Sequence, residues 1–143
     1  MGYIKIWVHL VWTTKNHKPI LTKEIRQRIF NHIRENAKQK NIYIDFINGH
    51  LEHVHCLVSL GSGQNIDNIL MLLKGESSHW INEQKLTKDK FEWQKEYFAV
   101  SVSESAVHRV RDYIKNQENH HKKKSFNAEY QEFIRKYKFK VLG

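Results

Sequence analysis

The sequence predicts an α+β fold in which helices pack on a four-stranded antiparallel sheet. Four short segments alternate apolar and polar residues and are rich in β-branched and aromatic types, which indicates strands. Longer segments with apolar residues at helical spacing separate them, in the order β-α-β-β-α-β. The chain has 143 residues, of which 40% are hydrophobic, so it is long enough and apolar enough to form a proper core.

The first half of the chain supplies a strand, a helix and a hairpin. Residues 3–14, YIKIWVHLVWTT, alternate and predict the first strand. Residues 23–41 carry apolar side chains at every fourth position and follow Thr22, a residue suited to cap a helix N-terminus. Residues 42–49 and 53–60 alternate again, and the short connection between them predicts a hairpin.

The second half supplies a helix, a strand and further helices. Apolar residues recur at helical spacing over residues 66–84, and residues 97–103, YFAVSVS, predict the fourth strand. A third helix is predicted over residues 105–121 and a last one over residues 126–137. The βαββαβ order is typical of the ferredoxin-like arrangement, which RRM-like domains share, with two helices on one face of the sheet.

Composition and charge restrict the class of partner. Lys and Arg number 24 against 15 Asp and Glu, a formal net charge of +9, and the excess is concentrated after His108. Cations beside aromatic residues suit nucleic acid, although a solvated basic tail is the alternative. There is no apolar run of membrane-spanning length, no signal-peptide pattern, and a single cysteine, Cys56. We therefore expect residues 1–143 to form one cytoplasmic domain with no membrane partner and a basic helical tail from about residue 122.

The third predicted strand carries two histidines one residue apart. Side chains alternate along a strand, so His53 and His55 share one face while apolar Val54 and Cys56 share the other. Two imidazoles about 7 Å apart along a strand can converge on one metal ion. Ordinary hydrogen-bonded histidines are the alternative in a chain with ten of them. Two ligands make a weak site, so a third is expected elsewhere in the sequence.

The third predicted helix offers that ligand together with a nucleophile. Tyr113 and Gln117 are four residues apart and therefore on one helix face, away from the apolar side formed by Val107, Val110 and Ile114. A metal held by two imidazoles and an amide oxygen keeps open positions and could polarise a phosphodiester. A tyrosine one turn away could then attack the phosphorus. The alternative is a tyrosine beside a glutamine on a half-exposed helix without chemistry.

These residues carry a resemblance to a known family. His-hydrophobic-His at residues 53–55 with Tyr-x-x-x-Gln at residues 113–117 resembles the HUH superfamily of single-strand DNA nucleases. The chain is most similar to the small single-tyrosine transposases of minimal bacterial insertion sequences, the IS200-like transposases. The resemblance covers nearly the whole chain, through HLVWTTKNHKPIL, GHLEHVHCLVSL, LKGESSHWI and VRDYIKNQENHHKKKSFNAEYQEFI.

The resemblance implies a reaction and a set of partners. It implies that His53, His55 and Gln117 bind one divalent ion, Mg²⁺ or Mn²⁺, and that Tyr113 attacks a phosphate of single-stranded DNA. The products are a 5′-phosphotyrosine and a free 3′-hydroxyl, and no nucleotide cofactor is required. It also implies a homodimer in which a tyrosine helix of one subunit completes the partner's site, acting on hairpins at the element ends.

Further residues are candidates for supporting roles. Glu52 could orient His53, although strict alternation places it on the opposite face of the strand. Five lysines are candidate phosphate binders, with a solvated surface role as the alternative for each: Lys15, Lys74, Lys122, Lys123 and Lys124.

Three other functions remain open at this stage. A non-catalytic single-strand nucleic-acid-binding module shares the fold and the basic charge, but the third strand lacks the aromatic RNA-binding motif. A domesticated relative could keep the site and lose mobility. A replication initiator or a conjugative relaxase is the third, although those proteins are usually larger or have different ligand patterns.

Overall fold

The computed structural model describes the backbone of residues 2–137, and the side chains of these residues except Lys122, Lys123, Phe133 and Tyr137. It contains one four-stranded sheet of order β2-β3-β1-β4 in which all neighbouring strands are antiparallel. The strands are β1 (Ile6–Thr14), β2 (Tyr43–Gly49), β3 (His53–Leu60) and β4 (Trp93–Val102). The predicted α+β class and the four-stranded antiparallel sheet are confirmed.

Six α-helices accompany the sheet in the described range. They are α1 (Lys23–Gln39), α2 (Ile66–Leu70), α3 (Glu76–Glu83), α4 (Val107–Lys115), α5 (Gln117–Lys123) and α6 (Phe126–Tyr137). A π-helical turn, Met71–Gly75, joins α2 to α3, so the second predicted helix is one continuous helical segment with a local bulge. The described residues include no helix that is both long and apolar enough to cross a membrane.

The main hydrophobic core lies on one face of the sheet. The alternating apolar residues of β1 and β3 point to this face, where α1 and the α2–α3 segment cover them. The largest fully buried apolar side chains of this core are Leu10, Trp12, Leu21, Ile29, Ile33, Ile81 and Phe91. Each such side chain contributes about 1.5–3 kcal/mol relative to an exposed one. The apolar core on this face therefore includes neither His53 nor His55.

The opposite face has a smaller apolar cluster where α4 crosses it. Trp7 and Leu57 pack there against Val107 and Ile114 of α4. This confirms the predicted apolar side of the third helix. The remaining part of this face carries polar side chains of β1 and β3, and α5 and α6 lie against that part.

The third predicted helix is interrupted, and the prediction of one continuous helix over 105–121 is wrong. Asn116 leaves helical geometry, with φ −95° and ψ 25°, and its Nδ2 donates to the carbonyl of Asp112. Asn48 of β2 donates to the carbonyls of Ile114 and Lys115, so a side chain satisfies the last turn of α4. Local periodicity cannot reveal a break that depends on a side chain of a distant strand.

The ends of two strands also differ from prediction. β1 begins at Ile6 rather than at residue 3, whereas β4 begins at Trp93 rather than at residue 97. The extension of β4 follows a register shift after Trp12, which pairs Thr14 with Trp93. Residues 138–143 of the predicted basic tail lie outside the described residues, and the single domain over 1–143 stays a prediction.

Candidate metal and nucleophile site

The two histidines of β3 lie side by side on the sheet face that α5 and α6 cover. The rings of His53 and His55 are fully buried, with centroids 5.0 Å apart and planes at 86°. Gly49 lies opposite on β2, where a Cβ would sit 2.1 Å from the carbonyl oxygen of His53. The absence of a side chain at Gly49 therefore allows β2 to approach the first histidine closely.

Glu52 fixes the orientation of His53. Its Oε1 lies 2.7 Å from His53 Nδ1. An ionised carboxylate only accepts hydrogen bonds, so Nδ1 of His53 carries the hydrogen of this contact. Burial raises the pKa of Glu52, but the hydrogen bond from His53, the imidazoles of His53 and His50 and a backbone hydrogen bond together outweigh burial and leave that pKa below its ordinary value. Strand alternation misplaced this residue because β3 begins only at His53.

His9, which the sequence analysis did not select, holds the orientation of the His55 ring. Its Nε2 lies 2.9 Å from Nδ1 of His55, and the two rings are stacked. Burial lowers the pKa of His9 to about 3 and that of His55 to about 4. Both imidazoles are therefore neutral near pH 7, which is the form that binds metals.

Gln117 begins α5, directly after the break at Asn116, and its side chain meets the histidines. Its side chain is fully buried, with Oε1 at 2.9 Å from Nε2 of His53. The adjacent Glu118 accepts from the buried guanidinium of Arg26 at 2.9 Å, which ties α5 to α1. The predicted trio of His53, His55 and Gln117 is thus brought together.

Tyr113 lies at the edge of this cluster in the same chain. Its ring centroid is 5.6 Å from that of His55, and its hydroxyl is 3.4 Å from Nε2 of His120. Burial, reinforced by the negative charge of Glu129, raises the pKa of Tyr113 far above its ordinary value. The phenol is therefore protonated in this arrangement.

Glu129 of α6 is a further buried member of the site that the sequence did not reveal. Its Oε1 is 2.9 Å from Nε2 of His55, and its Oε2 is 2.8 Å from Nε2 of His121 and 3.2 Å from Nε2 of His120. Burial raises the pKa of Glu129, but the imidazoles, chiefly those of His121 and His55, lower it by more. The net pKa is well below the ordinary value, so the carboxylate is ionised. The sequence carried no signal for this role, because Glu129 is one of four acids in the basic segment after His108.

These donor atoms fit a divalent cation. Nε2 of His53 and Oε1 of Gln117 lie 2.9 Å apart, and each is an atom that can coordinate a metal ion. Among the described residues, neither buried carboxylate oxygen of Glu129 has a partner that meets the angles of a hydrogen bond. Atoms at adjacent positions of an octahedral ion with bonds of about 2.1 Å lie about 3 Å apart. Donor atoms of His53, His55 and Glu129 all lie within 4.8 Å of one another.

The predicted phosphate-binding lysines are dispersed, and three of them contact protein groups. Lys15 Nζ is 2.8 Å from Glu92 Oε2, and Lys124 pairs with Glu132. Lys74 is half-buried, which lowers its pKa, and it donates to backbone carbonyls of β4. The side chains of Lys122 and Lys123 lie outside the described residues. A role of the five lysines in DNA binding stays a prediction.

A cleft of about 1110 Å³ opens beside the tyrosine, between β4 and the C-terminal helices. Tyr113 and Glu129 are among the residues that line it. The exposed side chains of Arg109 and Arg135 also line it, and the sequence analysis did not select either of them. The cleft is therefore lined by Tyr113 and by cationic side chains, together with the carboxylates of Glu129 and Glu132.

Comparison with known proteins relates this chain to transposases. Residues 3–117 match the family model described as "Transposase IS200 like". The ISDra2 transposase TnpA of Deinococcus radiodurans is 26% identical over 123 residues, which cover 81% of this chain and 87% of the relative.

Two solved structures have similar folds. A crystal structure described as that of a candidate transposase from D. radiodurans R1 superposes with a TM-score of 0.66 at 25% identity, covering 82% of this chain and 95% of the other. A REP-associated tyrosine transposase bound to a REP hairpin has a TM-score of 0.63 at 19% identity, covering 85% of this chain and 72% of the other.

Proposed function

Because the chain belongs to the IS200-like transposase family, we propose that it cleaves and rejoins single-stranded DNA with Tyr113 as the nucleophile. The strongest support is the convergence, within one chain, of Tyr113 with the buried donors His53, His55 and Gln117. The same four residues carried the family resemblance in the sequence.

In the proposed cleavage, Tyr113 Oη forms a bond to the scissile phosphorus. The bond from phosphorus to the 3′ oxygen breaks, and that oxygen takes up a proton to become a free 3′-hydroxyl. The phenolic proton passes to Nε2 of His120, 3.4 Å away. The resulting 5′-phosphotyrosine keeps the bond energy until another 3′-hydroxyl attacks it, so no nucleotide cofactor is needed.

His53, His55 and Gln117 would hold Mg²⁺ or Mn²⁺, which would supply Lewis acidity at the scissile phosphate. The other groups of the site keep these ligands in position. Glu52 and His9 hold the two imidazoles through the Nδ1 atoms and thereby leave both Nε2 atoms facing the cavity between the ligands. Loss of either partner would leave a ligand free to rotate.

The cleft beside Tyr113 is the proposed path of the DNA strand. Arg109 and Arg135 on its walls are suited to bind backbone phosphates. The DNA would be a hairpin-bearing element end in the cytoplasm, by analogy with the REP hairpin bound to the similar transposase. Strand exchange requires two tyrosines, which a homodimer would provide.

A covalent-complex assay tests the nucleophile. Labelled single-stranded DNA from the element ends is incubated with the protein and Mg²⁺ or Mn²⁺, and products are separated on a denaturing gel. We expect a covalent protein–DNA band that chelator removes and that Tyr113→Phe abolishes. Tyr97→Phe is the matched control, because the Tyr97 hydroxyl bonds Asp67 rather than the site.

Two results would contradict this function. A covalent band that persists in Tyr113→Phe would exclude Tyr113 as the nucleophile. DNA binding without any covalent band, with both metals and several end sequences, would instead support a non-catalytic or domesticated nucleic-acid-binding protein with this fold.

A further inference from the structure

Helix α6 contacts the histidine pair through two residues that are one helical turn apart. The ring of Phe126 stacks on His53 with centroids 4.2 Å apart and planes at 12°. One turn later, the carboxylate of Glu129 reaches His55 and is only 2% exposed. A third contact, from the Tyr130 hydroxyl to Glu96 at 3.1 Å, holds the outer side of the helix. The carboxylate is therefore fixed against the histidine pair rather than loosely placed near it.

The two oxygens of Glu129 have separate neighbours. Oε2 lies 2.8 Å from Nε2 of His121 and 3.2 Å from Nε2 of His120. Oε1 faces Nε2 of His55 at 2.9 Å, close to the spacing expected of two ligands of one ion. The carboxylate is thus oriented by one oxygen and presents the other to the donor cluster.

The chemistry of the other donor atoms favours Oε1 of Glu129 as a metal ligand. Magnesium prefers oxygen ligands, and Mn²⁺ also accepts carboxylate and carbonyl oxygens readily. Two imidazoles and one amide provide a single oxygen and no negative charge. Glu129 adds a second oxygen and one negative charge, which partly neutralises a divalent ion in a buried site.

We propose that Glu129 is a fourth protein ligand of the divalent ion, so that metal binding secures α6 over the site. The proposal rests on the metal site of the proposed function. Glu129 lies beyond residue 117, where the match to the family model ends. Four protein ligands leave two positions of a six-coordinate ion for water or phosphate oxygens.

Metal affinity tests this ligand without reference to DNA cleavage. Mn²⁺ is titrated into the full chain by calorimetry, with free Mn²⁺ followed by electron paramagnetic resonance. We expect Glu129→Gln, which keeps the shape and removes the charge, to weaken Mn²⁺ binding about tenfold or more. Glu132→Gln is the matched control on the same helix, because Glu132 is exposed and pairs with Lys124. It should bind Mn²⁺ like the wild type.

A second measurement uses the wild type alone and does not depend on the folding of a variant. Hydrogen exchange of the α6 amides is compared with and without saturating Mn²⁺. A metal ligand on this helix requires slower exchange across α6 when Mn²⁺ is bound. A carboxylate that only packs against the histidines leaves the exchange unchanged, and that result overturns the proposal.

His55→Ala separates the failure of this ligand from the failure of the metal site. If His55→Ala loses Mn²⁺ affinity while Glu129→Gln keeps it, Glu129 is not a ligand and the site of the proposed function stands. If both variants bind Mn²⁺ like the wild type, the metal site itself is refuted. Weak binding in both variants, with metal-dependent protection of α6, supports the four-ligand site.

Discussion

Replacing Glu52 with alanine should weaken metal binding although Glu52 itself reaches no metal. The carboxylate accepts from Nδ1 of His53 at 2.7 Å and thereby keeps Nε2 directed at Gln117. Without it, the His53 ring can rotate and can adopt the tautomer that carries hydrogen on Nε2, which binds no cation.

The expected size follows from the contact. Loss of a hydrogen-bond partner of a metal-binding histidine costs about 10–100-fold in affinity, or about 1.4–2.7 kcal/mol. The Glu52 side chain is only 17% exposed, so water replaces its hydrogen bond poorly, and the upper half of that range applies. Glu52→Gln keeps an acceptor oxygen and should retain most of the affinity.

Calorimetric titration of Mn²⁺ into the wild type, Glu52→Ala and Glu52→Gln measures this effect. Glu92→Ala is the control, since Glu92 is an exposed carboxylate paired with Lys15. Equal Mn²⁺ affinity in Glu52→Ala and the wild type would refute the orienting role. Equal losses in the alanine and glutamine variants would show that the charge matters rather than the hydrogen bond.

Two further predictions concern stability. Gly49→Ala should destabilise the fold by about 1–3 kcal/mol, because the new Cβ would lie 2.1 Å from the backbone oxygen of His53; urea unfolding measures this. Gly75→Ala is the control, because a Cβ at residue 75 meets open space and should not destabilise the fold. Equal stability of the wild type, Gly49→Ala and Gly75→Ala would contradict the close approach of β2 to His53. In chelator, the free energy of unfolding should fall by roughly 2 kcal/mol for each of His9 and His55, about 4 kcal/mol in total, from pH 7 to pH 5. Burial lowers the pKa of His55 to about 4 and that of His9 to about 3, so below about 6.5 the unfolded state binds more protons. Urea midpoints that do not fall on acidification would refute this.

The sequence predicted well whatever depends on local pattern. The bounds of β3 and α6 agree with prediction, because strict alternation and helical spacing are complete within those segments. The placement of His53 and His55 on one face follows from the same alternation. Gln117 was selected through spacing from Tyr113, and although the helix between them is broken, both still reach the site.

What the sequence could not predict depends on contacts between distant segments. His9 lies on β1, and its role follows from the register that pairs it with Leu57, beside His55. Glu129 is 74 residues from His55 and belongs to a segment whose basic charge suggested only DNA binding. Neither assignment can be made without knowing the sheet order and the packing of α6.

The C-terminal segment is better understood as part of the site than as a separate basic tail. His120, His121 and Glu129 are drawn from the stretch that charge alone assigned to DNA. Burying a carboxylate among imidazoles is costly unless a positive charge compensates it. Neutral His55 cannot supply that charge, whereas the divalent ion proposed above would supply it. In that four-ligand site, the ion that activates the phosphate would also compensate the buried carboxylate of α6.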